Sequence, residues 1–449
     1  MNAHFRSACR LAMALTLTSS VFANDALSDA WALLKQENAD LASQQKVVES
    51  EQAQLENAKD LRQPTVSLAS QYNVMNDDIT LSMDLSAYGL GNLDYEVQDQ
   101  TFWNTELTVT MPLYTGGQIS AGIDSAQADI AESTAKKQQI EDALFTTFVR
   151  RYLGVELAQQ NLATRKLALD NLQKHLERAI RMEQEGSIAH TQRLQSEVER
   201  DKARREWQQA ADDYELALSA YQAMFKSDAI APAQRLVYVD IPLPEKHRIS
   251  DMVLSRSPIL AQISANQDKA NAGVKATEGA MKPTVALFGL MELAKDDLTA
   301  LEPEWVVGAS LQWKLYGGGN RSATKLSYLA LSESADLKAQ QVRRDLTLYA
   351  TQAVLSLESA ENSYLSLQSS KELADENLRL QQKAFIQGVS TALDEVDAHL
   401  LVTGIQLESH KALYDYYTAL ADLAALTGEI DRFLQFMQDM PGFTDGVNP

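Results

Sequence analysis

Asp394 and Asp397 stand three residues apart in a segment, Gly388-Val389-Ser390-Thr391-Ala392-Leu393-Asp394-Glu395-Val396-Asp397, that reads as a glycine turn opening a helix. A spacing of three sets both carboxylates on one helix face. Two readings follow. A paired acidic face in a narrow passage attracts cations. Alternatively, Asp394 caps the returning helix while Glu395 and Asp397 favour the positive end of its dipole. Gly317-Gly318-Gly319 would suggest a phosphate loop, but no Gly-Lys-Ser/Thr follows, so a strand-to-helix turn is expected there. The six histidines show no zinc spacing, and His190 and His399 read as solvated helical residues. Asp77, Asp78, Asp84, Asp94, Glu96 and Asp99 read as a solvated loop, with calcium binding as the second reading. No Ser/His/Asp or Cys/His set is present. The expectation is a non-enzyme with no catalytic residue, no cofactor and no metal site.

The formal charge of −21 argues against nucleic acid as a partner, because a phosphate backbone rewards clustered Lys and Arg. Arg6 and Arg10, the apolar run Leu11 to Val21, and Val21-Phe22-Ala23 read as a signal peptide over residues 1–23. Cys9 lies inside it and is the one cysteine of the chain. The mature protein is therefore expected to carry no disulfide, which suits the periplasm and outer membrane as well as a secreted protein. After the leader no apolar run reaches the length of a membrane helix, so a membrane-spanning form must use strands.

The elements that position these residues repeat. Pro64-Thr65-Val66-Ser67-Leu68 returns as Pro283-Thr284-Val285-Ala286-Leu287. At a constant offset of 202, Trp103 returns as Trp305, Leu113-Tyr114 as Leu315-Tyr316, Gly117 as Gly319, Gly186 as Gly388, and Asp213-Tyr214 as Asp415-Tyr416. The chain is read as two repeats, 24–225 and 249–427, joined by a linker at 226–248 and followed by a tail at 428–449. Each repeat reads helix, strand, strand, long helix, helix. From Trp103, one face carries Thr105, Leu107, Val109, Met111 and Leu113; from Trp305, one face carries Val307, Ala309, Leu311, Trp313 and Leu315. Period-two alternation with one apolar face and aromatic ends fits a lipid-crossing strand. A soluble sandwich strand fits these residues equally well.

The helices decide between them. No proline interrupts Gly117 to Gly186, and neither proline nor glycine interrupts Gly319 to Gly388. A helix over either interval would be about 100 Å long at about 1.5 Å per residue, and such a rod must pack against other long helices. Four strands cannot close a membrane barrel, which begins at about eight, and an open edge in lipid has no partner for its backbone groups. Several copies must share one barrel, and strand number alone does not fix how many.

Met111-Pro112-Leu113-Tyr114-Thr115-Gly116-Gly117, its echo Leu315-Tyr316-Gly317-Gly318-Gly319, the turns at Gly186 and Gly388, and the duplication together are similar to the outer-membrane efflux protein family, the TolC-like channels. The resemblance covers essentially the whole mature chain. It implies an α+β membrane protein: an obligate trimer sharing a 12-stranded outer-membrane β-barrel with four strands per chain, continued by a long periplasmic α-helical barrel. An equatorial collar would use residues 226–248 and the tail beyond Gly428. It implies passive conduction as the exit duct of a tripartite efflux pump or type I secretion system. The partners would be a periplasmic adaptor and an inner-membrane pump of RND or ABC type, with outer-membrane lipid around the barrel.

The resemblance also assigns residues. Asp394 and Asp397 match the acids that ring the periplasmic entrance. Gly186, Ser187, Ile188 and Ala189, with Gly388, Val389, Ser390 and Thr391, match the hairpin tips that dock the adaptor. Tyr114, Gly116 and Gly117, with Tyr316, Gly317 and Gly319, are the strand-to-helix turns. Gln192, Ser390 and Phe385 occupy the places where family members carry an acid, a base and a tyrosine that hold the mouth shut, so polar links of that kind are not expected. The alternative is a soluble periplasmic coiled-coil scaffold.

Overall fold

The computed structural model describes residues 26–230, 232, 236–242, 244–295, 303–316 and 319–439. The expected leader, Gly317, Gly318 and the tail from 440 lie outside them. The first half runs α1 (Ala26–Glu37), α2 (Ala39–Asp60), β1 (Thr65–Val74), β2 (Ile79–Asp84), β3 (Asn92–Gln98), β4 (Thr101–Tyr114), α3 (Gln118–Gln184) and α4 (His190–Gln222). The second runs α5 (Lys246–Arg256), α6 (Pro258–Gly279), β5 (Thr284–Lys295), β6 (Trp305–Gln312), α7 (Arg321–Ile386) and α8 (Ala392–Thr427), with α9 (Ile430–Gln438) after it.

The starts of the helices follow their local chemistry. Asn38, Ser257 and Asn320 each accept a hydrogen bond from the third residue ahead, at Leu41, Leu260 and Ala323, which satisfies an otherwise orphaned amide. Pro258 supplies a preset φ at the first position of α6. With 67 and 66 residues, α3 and α7 are rods of about 100 Å. No helix among the described residues is long and apolar enough to cross a membrane.

A four-stranded antiparallel sheet runs β1-β4-β5-β6, so the two halves meet at the β4–β5 pair. Its outer strands, β1 and β6, have no further partner among the described residues. One expectation needs correcting: β6 stops at Gln312 rather than continuing to Leu315. The ladder ends where Thr284 faces Gln312, because the residue before Thr284 is Pro283, which has no amide to donate. Trp313 instead donates its indole N–H to the Met281 carbonyl at 3.1 Å.

The first loop is solvated, as expected, but it also has structure of its own: residues 79–98 form a separate, largely exposed β2–β3 hairpin. Leu81 faces Tyr95 and Met83 faces Leu93 on one side, while Ser82 faces Asp94 and Thr80 faces Glu96 on the other. The cross-strand apolar pairs hold a hairpin that the density of acids concealed.

Halfway along α3 the core is aromatic. Phe145, Phe148 and Tyr152 pack against Trp31 of α1, Tyr221 of α4 and Phe433 of α9, all buried, with ring centroids from 5.3 to 5.7 Å for Trp31–Phe145, Trp31–Phe148, Phe145–Phe433 and Tyr152–Tyr221. The linker is tied to this belt by phenols: Tyr221 donates to Ile230 O at 2.8 Å and Tyr416 to Val239 O at 3.0 Å. Buried phenols find partners because an unpaired hydroxyl in an apolar core costs about 1–3 kcal/mol.

Candidate functional site

The site has two ends, a sheet with one apolar face and a helical tip about 100 Å away. On the sheet, the cross-strand pairs put Val66, Leu68, Tyr72, Leu107, Val109, Met111, Leu287, Met291, Trp305, Val307 and Leu311 on one side. Most of these are more than a third exposed; Val307 is 72 % exposed and Leu68 64 %. Tyr72 and Trp103 meet across β1 and β4 with centroids 5.8 Å apart and ring planes tilted by 48°. On the first half's other side stand Ser67, Gln71, Asn104, Glu106, Thr108 and Thr110. Water would not stabilise so large a contiguous apolar face, whereas lipid would.

Each strand pair turns into its long helix through glycine. After Tyr114, Gly116 and Gly117 take left-handed φ values of 68° and 96°, and Gly319 takes 95° before Asn320 caps α7. Gly116 lies against Gly279, the last residue of α6: a Cβ built on Gly116 would come 2.3 Å from the Gly279 carbonyl oxygen. The turn of the first half is thus locked onto the helix end of the second. Tyr316 is almost fully exposed.

At the far end, both hairpin tips are built alike on their incoming side. Ser187 N donates to Met182 O and Gly186 N to Glu183 O; Val389 N donates to Ala384 O and Gly388 N to Phe385 O. This pair of bonds, with glycine at a φ of 72° or 71°, closes a helix end by a Schellman turn. The outgoing sides differ. Thr391 caps α8 in a reciprocal box with Asp394, whereas Ala189 begins α4 with no side-chain cap. Gly186, Ser187, Ala189, Gly388, Val389 and Thr391 are exposed, and Ile188 and Ser390 half-buried.

Asp394 and Asp397 are both exposed, one turn apart on α8. Asp394 serves the cap as well: its carboxylate accepts from the Thr391 hydroxyl at 2.7 Å and the Thr391 amide at 2.8 Å. These bonds hold its carboxyl below the usual range, so it stays ionised. The capping and charged-face readings are therefore compatible.

One sequence reading fails here: His399 is buried rather than solvated. Glu395 sits in the first turn of α8, at the positive end of its dipole as expected, and is fully buried there. Glu395 Oε2 lies 3.0 Å from His175 Nδ1, and Oε1 is bonded by Arg178, both from α3. His399 Nε2 stands 3.7 Å from Oε1. His190 is exposed, as expected, and pairs with Glu183 at 2.5 Å. Gln192 is half-buried and its carbonyl accepts from Ser196 Oγ at 3.0 Å. Phe385 is buried against His175, with centroids 5.0 Å apart, and Ser390 Oγ reaches Gln381 O at 3.5 Å within its own hairpin.

Burial alone would raise the Glu395 carboxyl, but its contacts with His175 and His399 and the Arg178 charge bring it down to about 2. A folded-state value below the unfolded one contributes stability that is complete at neutral pH and is lost as the pH falls from 4.5 through about 2. The melting-point gap between the wild-type chain and Glu395→Gln is expected to stay constant from about pH 7 to about pH 5 and to close below that. A gap that closes above about pH 6 would contradict this pairing.

At the base of the β2–β3 hairpin, Asp78, Glu96 and Asp99 bring carboxylate oxygens within 4.8 Å of one another, all exposed. Asp78 is already engaged, accepting from Gln100 N at 2.6 Å.

Comparison with known proteins agrees with this geometry. Residues 31–224 and 249–429 match the family described as outer membrane efflux protein. No curated protein sequence matches the chain. Among solved structures, the Campylobacter jejuni CmeC outer membrane channel is similar at 13 % identity, covering 98 % of each chain, with a TM-score of 0.73. The Vibrio cholerae outer membrane protein VceC is similar at 14 % identity over 90 % of this chain and 96 % of that one, with a TM-score of 0.71. The open state of the Neisseria gonorrhoeae MtrE outer membrane channel follows at 18 % identity, over 90 % and 89 %, with a TM-score of 0.70.

Proposed function

The chain belongs to the outer membrane efflux protein family, and from that premise we propose that it is the exit duct of a tripartite efflux pump or type I secretion system. It is an outer-membrane protein that extends into the periplasm. The observation that carries the reading is the sheet: an apolar face that runs across all four strands, two outer strands with no further partner among the described residues, and direct continuation into rods of about 100 Å. Unpaired edges have no place in lipid, so β1 of one copy must pair with β6 of another.

Three copies give twelve strands around a passage and set the helices of the chain beside those of its neighbours. Leu326, Leu337, Leu348, Leu355 and Leu373, exposed along α7, supply apolar surface for that contact. Residues 226–248 and α9 form the collar. The tips at Gly186–Ala189 and Gly388–Thr391 dock a periplasmic adaptor, which brings an inner-membrane pump of RND or ABC type. Asp394 and Asp397 from three copies form two acidic rings at the entrance, where six carboxylates in a narrow mouth favour cations.

Purified protein added to a planar bilayer tests the reading. Discrete, cation-selective conductance steps are expected. Protein that is recovered from cells without detergent and leaves the bilayer silent would overturn it.

A further inference from the structure

The wall of long helices is broken where two helices end. α8 stops at Thr427, where Gly428 turns left-handed, and α6 starts at Pro258. Arg256 Nη1 joins the two ends by donating to Thr427 O at 3.1 Å. Both helices pack against α3 and α7, so their junction leaves a gap between those two rods. A hollow of about 470 Å³ occupies the gap, within the roughly 300–1,000 Å³ that small-molecule sites fill. Its walls are mainly apolar, with Val253, Ile259, Leu346 and Leu426 among them, and Tyr349 is exposed at its rim.

The hollow and the linker lie on different sides of this wall. On α8, Leu423 and Thr427 line a groove with the linker, α5 and α9, whereas Asp422 and Leu426 line the hollow. On α3, Phe145 and Phe148 meet Trp31 of α1, whereas Asp142 and Thr146 line the hollow. In a duct with its collar outside, the hollow therefore opens on the passage.

Two carboxylates border the hollow, and they differ. Asp422 is neutralised by Arg150 at 2.7 Å. Asp142 has no cationic partner among the described residues; its hydrogen bond comes from Gln138 Nε2 at 2.9 Å. Burial first, then the charge of Glu141, push its carboxyl up to about 6, against the Gln138 bond. A half-buried carboxylate without a counter-ion favours a cation that can reach it. The walls select further. A small hydrated ion gains nothing from apolar surface, a neutral molecule leaves Asp142 unpaired, and an anion is repelled.

We propose that this hollow is a binding site on the passage wall for organic cations with an apolar body: the walls take the body and Asp142 supplies the counter-charge. The proposal rests on the reading of the chain as a duct and names a class of cargo for it.

The test measures fluorescence polarisation of a rhodamine ester, an organic cation, on assembled protein in detergent. Fluorescein, an anion on the same ring system, is its counterpart, and tetramethylammonium supplies the charge without the apolar body. Asp142→Asn keeps the Gln138 bond and should weaken rhodamine binding about tenfold, the effect of one partly buried charge pair. Ala143→Phe, which fills the hollow and leaves the charge, should weaken it as much. Glu141→Gln is the control: Glu141 pairs with Lys35 of α1 at 3.3 Å, away from the hollow, and its loss should change affinity less than about twofold. Fluorescein should bind far more weakly than the rhodamine ester, and tetramethylammonium should not compete. Protein that forms channels but binds the rhodamine ester equally with and without the Asp142 charge, or binds fluorescein as tightly, would overturn the site and leave the duct standing. Protein silent in a bilayer would instead overturn the duct. Should Asp142→Asn fail to assemble, Ala143→Phe carries the same expectation, and unchanged affinity in it overturns the site.

Discussion

Alanine at Gly116 is expected to remove most of the assembled protein from the outer membrane. Two independent costs add there. A left-handed φ of 68° burdens any residue with a Cβ by roughly 1–2 kcal/mol. The new Cβ would also sit 2.3 Å from the Gly279 carbonyl oxygen, a backbone atom that no rotamer change can remove. Forcing apart the β4–α3 turn and the end of α6 adds roughly 1–3 kcal/mol, so the sum consumes a large part of a typical folding free energy of about 5–15 kcal/mol. Gly89 is the control. Its φ of 74° is similar, but nothing lies within 4 Å of its Cβ position. Gly89→Ala should lose only about 1 kcal/mol and assemble normally. The yield of detergent-resistant oligomer and its melting point read both variants, and equal yields would contradict the inter-half lock.

Asp394→Asn with Asp397→Asn is expected to abolish most of the cation preference while leaving assembly intact. Asparagine keeps an oxygen that can accept the Thr391 hydrogen bonds, so the cap on α8 persists while the charge goes. Six carboxylates would be lost from the entrance of a trimer, and a cation-to-anion permeability ratio of about ten should fall toward one, with weaker block by multivalent cations. Because the Thr391 bonds hold the Asp394 carboxyl below its usual range, wild-type selectivity should persist into mildly acidic buffer. Unchanged reversal potentials in the double variant would refute the rings and return Asp394 to a purely capping role.

Much of this fold was legible in the sequence because its long elements obey simple rules. Gly117, Gly186, Gly319 and Gly388 punctuate uninterrupted helical pattern, and each takes a left-handed φ at a helix end. Trp103 and Trp305 mark strands whose alternation survives in the sheet register. What stayed hidden depended on contact between distant segments. Glu395 looks like any acid in a first helical turn; its burial comes from Arg178 and His175, the former 217 residues earlier. His399 is buried for the same reason, as a wall of that pocket. The β2–β3 hairpin carried a readable alternation at Ile79, Leu81 and Met83, but the surrounding acids outweighed it. The early end of β6 is set by Pro283 on the opposite strand, which a strand read alone cannot reveal.

Cross-linking of the free sheet edges tests the shared barrel most directly. Cys9 is the one cysteine of the chain and falls in the expected leader, so introduced pairs report without background. Single cysteines placed in turn along Thr65–Val74 of β1, each combined with one along Trp305–Gln312 of β6, are oxidised in membranes. At a matching register, a covalent ladder that stops at three chains is the expected result. No cross-link between copies at any register, or a ladder ending at another number, would contradict a duct closed by three chains.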